Sequence, residues 1–81
     1  MNMLHLNIVS PEKEIYNGEV ERVTLPGTIG AFTILPQHAP IVSSLRAGNV
    51  IYVPAGGEEQ TFDINGGFVE MSGGVVSACV D

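Results

Sequence analysis

Residues 60–80 read Gln60-Thr61-Phe62-Asp63-Ile64-Asn65-Gly66-Gly67-Phe68-Val69-Glu70-Met71-Ser72-Gly73-Gly74-Val75-Val76-Ser77-Ala78-Cys79-Val80. Gln60 to Ile64 alternates polar and apolar side chains, the period of a half-buried strand. Asn65-Gly66-Gly67 interrupts the alternation, and Phe68-Val69-Glu70-Met71 resumes it. Ser72-Gly73-Gly74 is a second turn signal, after which Val75 to Val80 forms a short β-rich run. The same punctuation runs through the whole chain, which holds ten Gly and five Pro. No window carries apolar residues at helical spacing for several turns, so no helix is expected. The reading is an all-β sandwich or barrel.

Upstream, Leu4, Leu6 and Ile8 alternate with Met3, His5 and Asn7, and Ser10-Pro11 ends that strand. Asn17-Gly18 between Ile15-Tyr16 and Glu19-Val20 is the strongest local hairpin signal, because both residues accept positive φ. The spacing of Val20, Val23 and Leu25 slips by one residue, which predicts a bulge near Glu21-Arg22. Pro26 to Gly30 reads as a turn and Ala31 to Leu35 as a strand. Pro36-Gln37-His38-Ala39-Pro40 is a stiff connection, and Ile41 to Leu45 is a strand turned by Ala47-Gly48. Asn49 to Val53 follows, and Pro54-Ala55-Gly56-Gly57 is a loop. The count is nine or ten short strands, with sequence neighbours pairing in space.

The 81 residues make one domain, 1–81. With 44% apolar and 15% charged residues the chain is too apolar for disorder. It has no apolar run long enough for a membrane-spanning helix. Three Lys and Arg against nine Asp and Glu give a net charge of −6. That balance excludes nucleic acid as a partner and disfavours anionic lipid headgroups, so no direct lipid insertion is expected. Cys79 is the one cysteine, so no intrachain disulfide forms and a reducing compartment is expected. Met1 to His5 shows neither a signal peptide nor a transit peptide.

No constellation supports catalysis, and no catalytic, cofactor or metal site is assigned. Gly27-Thr28-Ile29-Gly30 lacks the helix that a phosphate loop feeds. Ser10, His38 and Asp63 lack a nucleophile elbow. His5, His38 and Cys79 have no metal-ligand spacing, and Glu58-Glu59 with Asp63 supplies too few oxygens for calcium. Glu12 with Glu14, and Glu19 with Glu21, read as solvated strand faces. Cys79, in an apolar strand with Val76, Ala78 and Val80, reads as a small buried hydrophobe.

Two segments stand out as contact elements. Pro36 and Pro40 stiffen the chain around His38. That makes either a rigid projection for a partner or a strand crossing in which His38 caps a carbonyl, and the residues leave both open. Ile29 and Phe32 must either fold back on the core or be offered to a partner.

One ordered series spans the chain. It comprises Leu6-Asn7-Ile8-Val9-Ser10-Pro11-Glu12, Gly18-Glu19-Val20-Glu21 and Leu25-Pro26-Gly27-Thr28-Ile29-Gly30. It continues with Ile34-Leu35-Pro36-Gln37-His38-Ala39-Pro40, Leu45-Arg46-Ala47-Gly48 and Asn65-Gly66-Gly67-Phe68-Val69-Glu70. The series resembles the N-terminal domain of the epsilon subunit of F-type ATP synthases, called delta in mitochondria. The resemblance implies a flattened ten-stranded β-sandwich in the central stalk of the rotor. Such a subunit grips the gamma subunit and rests on the polar loops of the c-ring. It performs no chemistry and couples ion-driven ring rotation to gamma and ATP synthesis. The implied location is the cytoplasmic face of a bacterial inner membrane, as a peripheral protein. The rival readings are a free-standing β-sandwich module binding sugar or peptide, for which five aromatics without Trp are a thin supply, and an enzyme, which nothing supports.

Carried over position by position, Ser10, His38, Ala39, Pro40, Ser43 and Asn65 fall where relatives meet gamma. Gly27, Thr28, Ile29, Gly30, Ala31 and Phe32 fall where relatives meet the ring. Many relatives carry an acid in place of Ala31, and often Gly in place of Gln37, where a side chain restricts the turn. Many also continue into a C-terminal helical hairpin that binds ATP and inhibits hydrolysis. This chain ends at Asp81, so neither activity is expected of it.

Overall fold

The computed structural model describes residues 3–81; Met1 and Asn2, part of the leader reading above and of the domain's first boundary, lie outside the described residues. Six strands follow one another: β1 (Leu4–Val9), β2 (Glu14–Pro26), β3 (Ala31–Ile34), β4 (Ile41–Pro54), β5 (Gln60–Ser72) and β6 (Val75–Val80). Among the described residues there is no helix, hence none long and apolar enough to cross a membrane.

The strand order is β1-β6-β5-β4-β2-β3, and β1 also pairs with β2, which closes the sheet into a flattened barrel. β1 runs parallel to β6, with Val9 opposite Cys79, and antiparallel to β2, with Leu4 opposite Val20. The short β3 extends β2 beyond the end of β1.

Fewer strands form than the sequence suggests, because three of them run through positions that look like turns. β2, β4 and β5 are 13, 14 and 13 residues long. Each changes once which alternate residues face inward: near Glu21-Arg22, near Arg46-Ala47 and at Gly66-Gly67. Six strands with three such switches give nine alternating segments, the pattern that counts as nine or ten strands in sequence. A strand that wraps from one wall of a flattened barrel to the other must re-aim its side chains, and bulges or glycines do this. The expected bulge is present, as a register shift between Val20 and Arg22. The β4–β5 ladder instead holds one register from Ile41 opposite Met71 to Tyr52 opposite Gln60, straight through Ala47-Gly48. Gly67 absorbs the switch on β5 at φ 140°, and a Cβ there would collide with the Cys79 carbonyl.

The Asn17-Gly18 hairpin does not form. Both residues lie within β2, opposite Asn7 and Leu6 of β1. Gly18 serves close approach instead: a Cβ on it would sit 2.9 Å from the Tyr16 hydroxyl. The β1–β2 reversal occurs earlier, where the Ser10 amide donates to the Lys13 carbonyl at 2.9 Å and the Lys13 amide donates to Ser10 Oγ.

The core joins Leu4, Leu6 and Ile8 to Val20, Val23, Leu25, Ile34, Val50, Val69, Met71 and Val76, with Tyr16, Tyr52 and Phe62 packed at its margin. At roughly 25 cal/mol per Å² of apolar surface removed from water, each such aliphatic side chain contributes about 1.5–3 kcal/mol.

Candidate functional site

Two features of the surface stand apart from the solvated remainder. The first is the outer wall of β1, β6, β5 and β4. Val9, Cys79, Phe68 and Ser44 form one cross-strand row, and Asn7, Ser77, Glu70 and Val42 the next. Val42 is 72% exposed, Phe68 46% and Val75 44%. Val9, Ser10, Pro11, Phe68 and Cys79 border a shallow apolar groove of about 350 Å³. By contrast the outer row of β3, β2, β4 and β5 reads Thr33, Thr24, Ile51, Thr61, with the two hydroxyls of Thr24 and Thr33 hydrogen-bonded at 2.7 Å. The first wall exposes Val42, Phe68 and Val75 among the polar Ser44, Asn7, Ser77 and Glu70, whereas the second carries three Thr around the half-buried Ile51.

Cys79 was expected inside; it is exposed. The inward residues of β6 are Val76, Ala78 and Val80, so strict alternation puts Cys79 outside.

The second feature is the turn between β2 and β3. The Gly30 amide donates to the Gly27 carbonyl at 3.1 Å, and the tip carries Ile29 wholly exposed. Thr28, Gly30 and Ala31 are exposed as well. Phe32 divides from Ile29 by folding back on the core. Gly27 is buried, and a Cβ on it would meet the Gly30 carbonyl at 2.7 Å and the Phe32 ring at 2.9 Å. The turn is fastened to the apolar wall: the Thr28 amide donates to the Ser44 carbonyl at 3.1 Å, and Gly27 bridges Leu45.

The gamma-side residues of the sequence reading are only partly gathered. Ser10 borders the groove, and Pro40 leads into the apolar wall one residue before Ile41. His38, Ala39 and Pro40 are exposed in the β3–β4 turn. That turn closes with the His38 amide donating to the Leu35 carbonyl at 3.1 Å, while Gln37 sits at φ 70°. Pro at the second position and positive φ at the third make a type II turn, in which Gly or Asn is the unstrained third residue. His38 Nδ1 lies 2.6 Å from the Ala39 carbonyl, so the ring caps a carbonyl and is exposed at once. Ser43 is half-buried in the inward row with Ile41 and Leu45, and its hydroxyl donates to the Ser44 carbonyl; its neighbours Val42 and Ser44 face outward. Asn65 is exposed beside Gly66, whose carbonyl accepts the Asp81 amide.

Val42, Phe68 and Val75 were not singled out in sequence. Their signal is there: Ile41-Val42, Phe68-Val69 and Val75-Val76 put apolar side chains on both faces of three adjacent strands.

Apart from Glu70 on the first wall, the charged contacts lie elsewhere. His5 on β1 lies with Nδ1 2.9 Å from Glu19 Oε2 and Nε2 2.6 Å from Asn17 Oδ1, and hydrogen bonding to Glu19, then to Asn17, holds its pKa above the ordinary 6.5. Burial, and secondarily Tyr16, push the Tyr52 phenol up. Arg22 lies 3.7 Å from Glu59. Among the described residues no three His, Cys, Asp or Glu side chains converge as a metal site would require.

The family model described as ATP synthase, Delta/Epsilon chain, beta-sandwich domain matches residues 3–81. The chain is 41% identical over 81 residues to the ATP synthase epsilon chain of Xanthomonas oryzae pv. oryzae (strain PXO99A), covering all of this chain and 58% of that one. It is 40% identical to that of Xanthomonas campestris pv. campestris (strain B100), with the same coverage. The chain thus spans 58% of the length of these relatives. Its fold is similar to a chain of the Euglena gracilis mitochondrial ATP synthase (OSCP/F1/c-ring), with TM-score 0.91 at 23% identity over 99% of this chain and 51% of that one. A chain of the Tetrahymena thermophila mitochondrial ATP synthase central stalk and c-ring gives 0.79 at 18% identity over 95% and 62%.

Proposed function

Because this chain belongs to the ATP synthase delta/epsilon-chain β-sandwich family, we propose that it acts as a rotor element of an F-type ATP synthase. It docks on the gamma subunit and on the c-ring polar loops, and it couples ring rotation to ATP synthesis without catalysing a reaction. The observation that carries this reading is the pair of surfaces joined through Ser44. Its side chain lies on the apolar outer wall, and its carbonyl holds the turn that bears Ile29.

The division of labour follows from chemistry. A flat wall with Val42, Phe68 and Val75 exposed loses unfavourable apolar hydration when covered by a protein surface. Gamma is that surface in this reading, with Ser10 at its groove, Pro40 leading into it and Ser43 behind it; His38, Ala39 and Asn65 are offered as further contacts from exposed positions. The tight Gly27–Gly30 turn with Ile29 at its tip is a compact knob for the ring loops. Ala31 supplies no charge there, so attraction rests on shape and apolar contact. Torque passes between the two surfaces only if they move together. The Thr28–Ser44 hydrogen bond and the Gly27–Leu45 bridge tie them through β4. The protein then sits peripherally at the cytoplasmic face of a bacterial inner membrane.

A sugar- or peptide-binding module fits less well. Such sites use several exposed aromatics; of the five here Tyr16, Tyr52, Phe32 and Phe62 pack against the core, and Phe68 alone stands exposed.

The test is recovery of the tagged chain from membranes with identification of its partners by mass spectrometry. Gamma and c subunits are expected together. Recovery of neither, with an intact fold by circular dichroism, would overturn the reading.

A further inference from the structure

β1 is the strand that closes the barrel, since it pairs β6 on one side and β2 on the other. His5 stands on it opposite Val75 of β6 and Glu19 of β2. Its two ring nitrogens reach across the β1–β2 seam, Nδ1 to Glu19 Oε2 at 2.9 Å and Nε2 to Asn17 Oδ1 at 2.6 Å. The Asn17 amide is oriented independently of His5: its Nδ2 donates to Glu14 Oε1 at 3.3 Å, which turns Oδ1 toward the imidazole. Both partners of the ring are therefore acceptors. A neutral imidazole has one N–H and one lone pair, and only the imidazolium donates twice.

We propose that Glu14, Asn17, His5 and Glu19 form a proton-operated latch across the β1–β2 seam of the barrel. With His5 protonated, four side chains make one chain of hydrogen bonds from Glu14 to Glu19. With His5 neutral, one ring nitrogen turns a lone pair on an acceptor, and one of the two seam bonds is lost.

The charges around the ring agree with this. From β2 the facing groups are Glu19, Asn17 and, through Asn17, Glu14. From β6 the neighbour is Val75, and before it Gly74, whose carbonyl accepts the His5 amide at 2.9 Å; neither is charged. Hydrogen bonding to Glu19 and then to Asn17 raises the His5 pKa, against a smaller opposing effect of desolvation. A group whose folded pKa is raised stabilises fully below its unfolded value. The latch is closed below about pH 6.5 and opens as pH rises through the raised folded value. Val75 belongs to the exposed apolar set, so the latch lies at the border of the outer wall, and its opening changes the charge there.

Nuclear magnetic resonance on the 81-residue chain tests it, reading the ring nitrogens of His5 and amide exchange together. In the folded chain His5 should titrate above the same residue in urea-unfolded chain, with both nitrogens protonated below the midpoint. Glu19→Gln should lower that midpoint. Exchange protection of the β1–β2 amides, relative to β4–β5, should fall about two- to fivefold between about pH 5.5 and pH 8.5, the scale of an exposed ion pair. His5→Gln should remove this dependence. A His5 midpoint that Glu19→Gln leaves unmoved, or parental seam protection that stays constant with pH, would overturn the latch. The Glu19→Gln arm decides the matter even if His5→Gln proves misfolded.

Discussion

Phe68 on β5 and Cys79 on β6 are registered cross-strand partners, and both side chains stand outside the barrel. With Val9 beyond Cys79 and Ser44 beyond Phe68 they make a continuous row across four strands. A thiol in that row is accessible to solvent while the protein is folded.

Cys79 should therefore react with an aromatic disulfide reagent in native buffer, to completion and without denaturant. Binding of gamma should slow that reaction. A thiol that reacts only after unfolding would place Cys79 inside and remove the outer row.

Gly67→Ala should destabilise the domain by about 3 kcal/mol or more, since the new methyl meets backbone and φ is strained for any L side chain. The φ of 140° and the nearby Cys79 carbonyl are the cause. Urea unfolding measures it; a loss below about 1 kcal/mol would mean the β5 switch does not depend on this glycine.

Gln37→Gly should stabilise by about 0.5–1 kcal/mol. A non-glycine residue in the left-handed region costs roughly 1–2 kcal/mol, part of which glycine's greater unfolded freedom cancels. Gln37 at φ 70° in the His38 turn is such a residue. A fall in the urea midpoint would show that the Gln37 side chain supplies a compensating contact.

Ile29→Asp should impair proton pumping in reconstituted vesicles more than Ala31→Glu. Ile29 is the exposed tip of its turn, and a carboxylate there would be desolvated without a partner. Ala31 stands off the tip at the start of β3, at the position where the family resemblance puts an acid in many relatives, so a carboxylate there should be tolerated. Greater damage from Ala31→Glu would withdraw the ring assignment for Gly27 to Phe32.

The all-β class and the inward rows of Leu4-Leu6-Ile8 and Val76-Ala78-Val80 are legible from alternation alone, because the period of a strand is local. Strand number is not. Asn17-Gly18 carries a strong turn signal, yet β1 needs a partner along its whole length, and that long-range pairing outweighs the local preference. Gly66-Gly67 is legible as a break but not as a re-aiming of one strand, since the difference lies in what β4 does opposite it. The turn at Gly27–Gly30 is legible from its glycines, and the separate fates of Ile29 and Phe32 depend on where the core ends. The apolar wall is legible in Ile41-Val42, Phe68-Val69 and Val75-Val76, once these strands are known to be neighbours. Cys79 was misread because an apolar run hides the phase that Val76, Ala78 and Val80 set. His38 caps the Ala39 carbonyl as one of its two readings has it, and its exposed ring leaves contact with a partner as the proposal.

The central claim is that gamma covers the wall of β1, β6, β5 and β4, and the affinity of this chain for gamma tests it most directly. Val42→Asp puts a second carboxylate on that wall, opposite Glu70, in place of its most exposed apolar side chain, and Thr61→Asp puts the same charge on the exposed Thr row of the opposite wall. Titration calorimetry should give at least a tenfold weaker dissociation constant for Val42→Asp, about 1.4 kcal/mol or more, and an unchanged one for Thr61→Asp. Equal affinities for the two variants, or a larger loss from Thr61→Asp, would contradict the account.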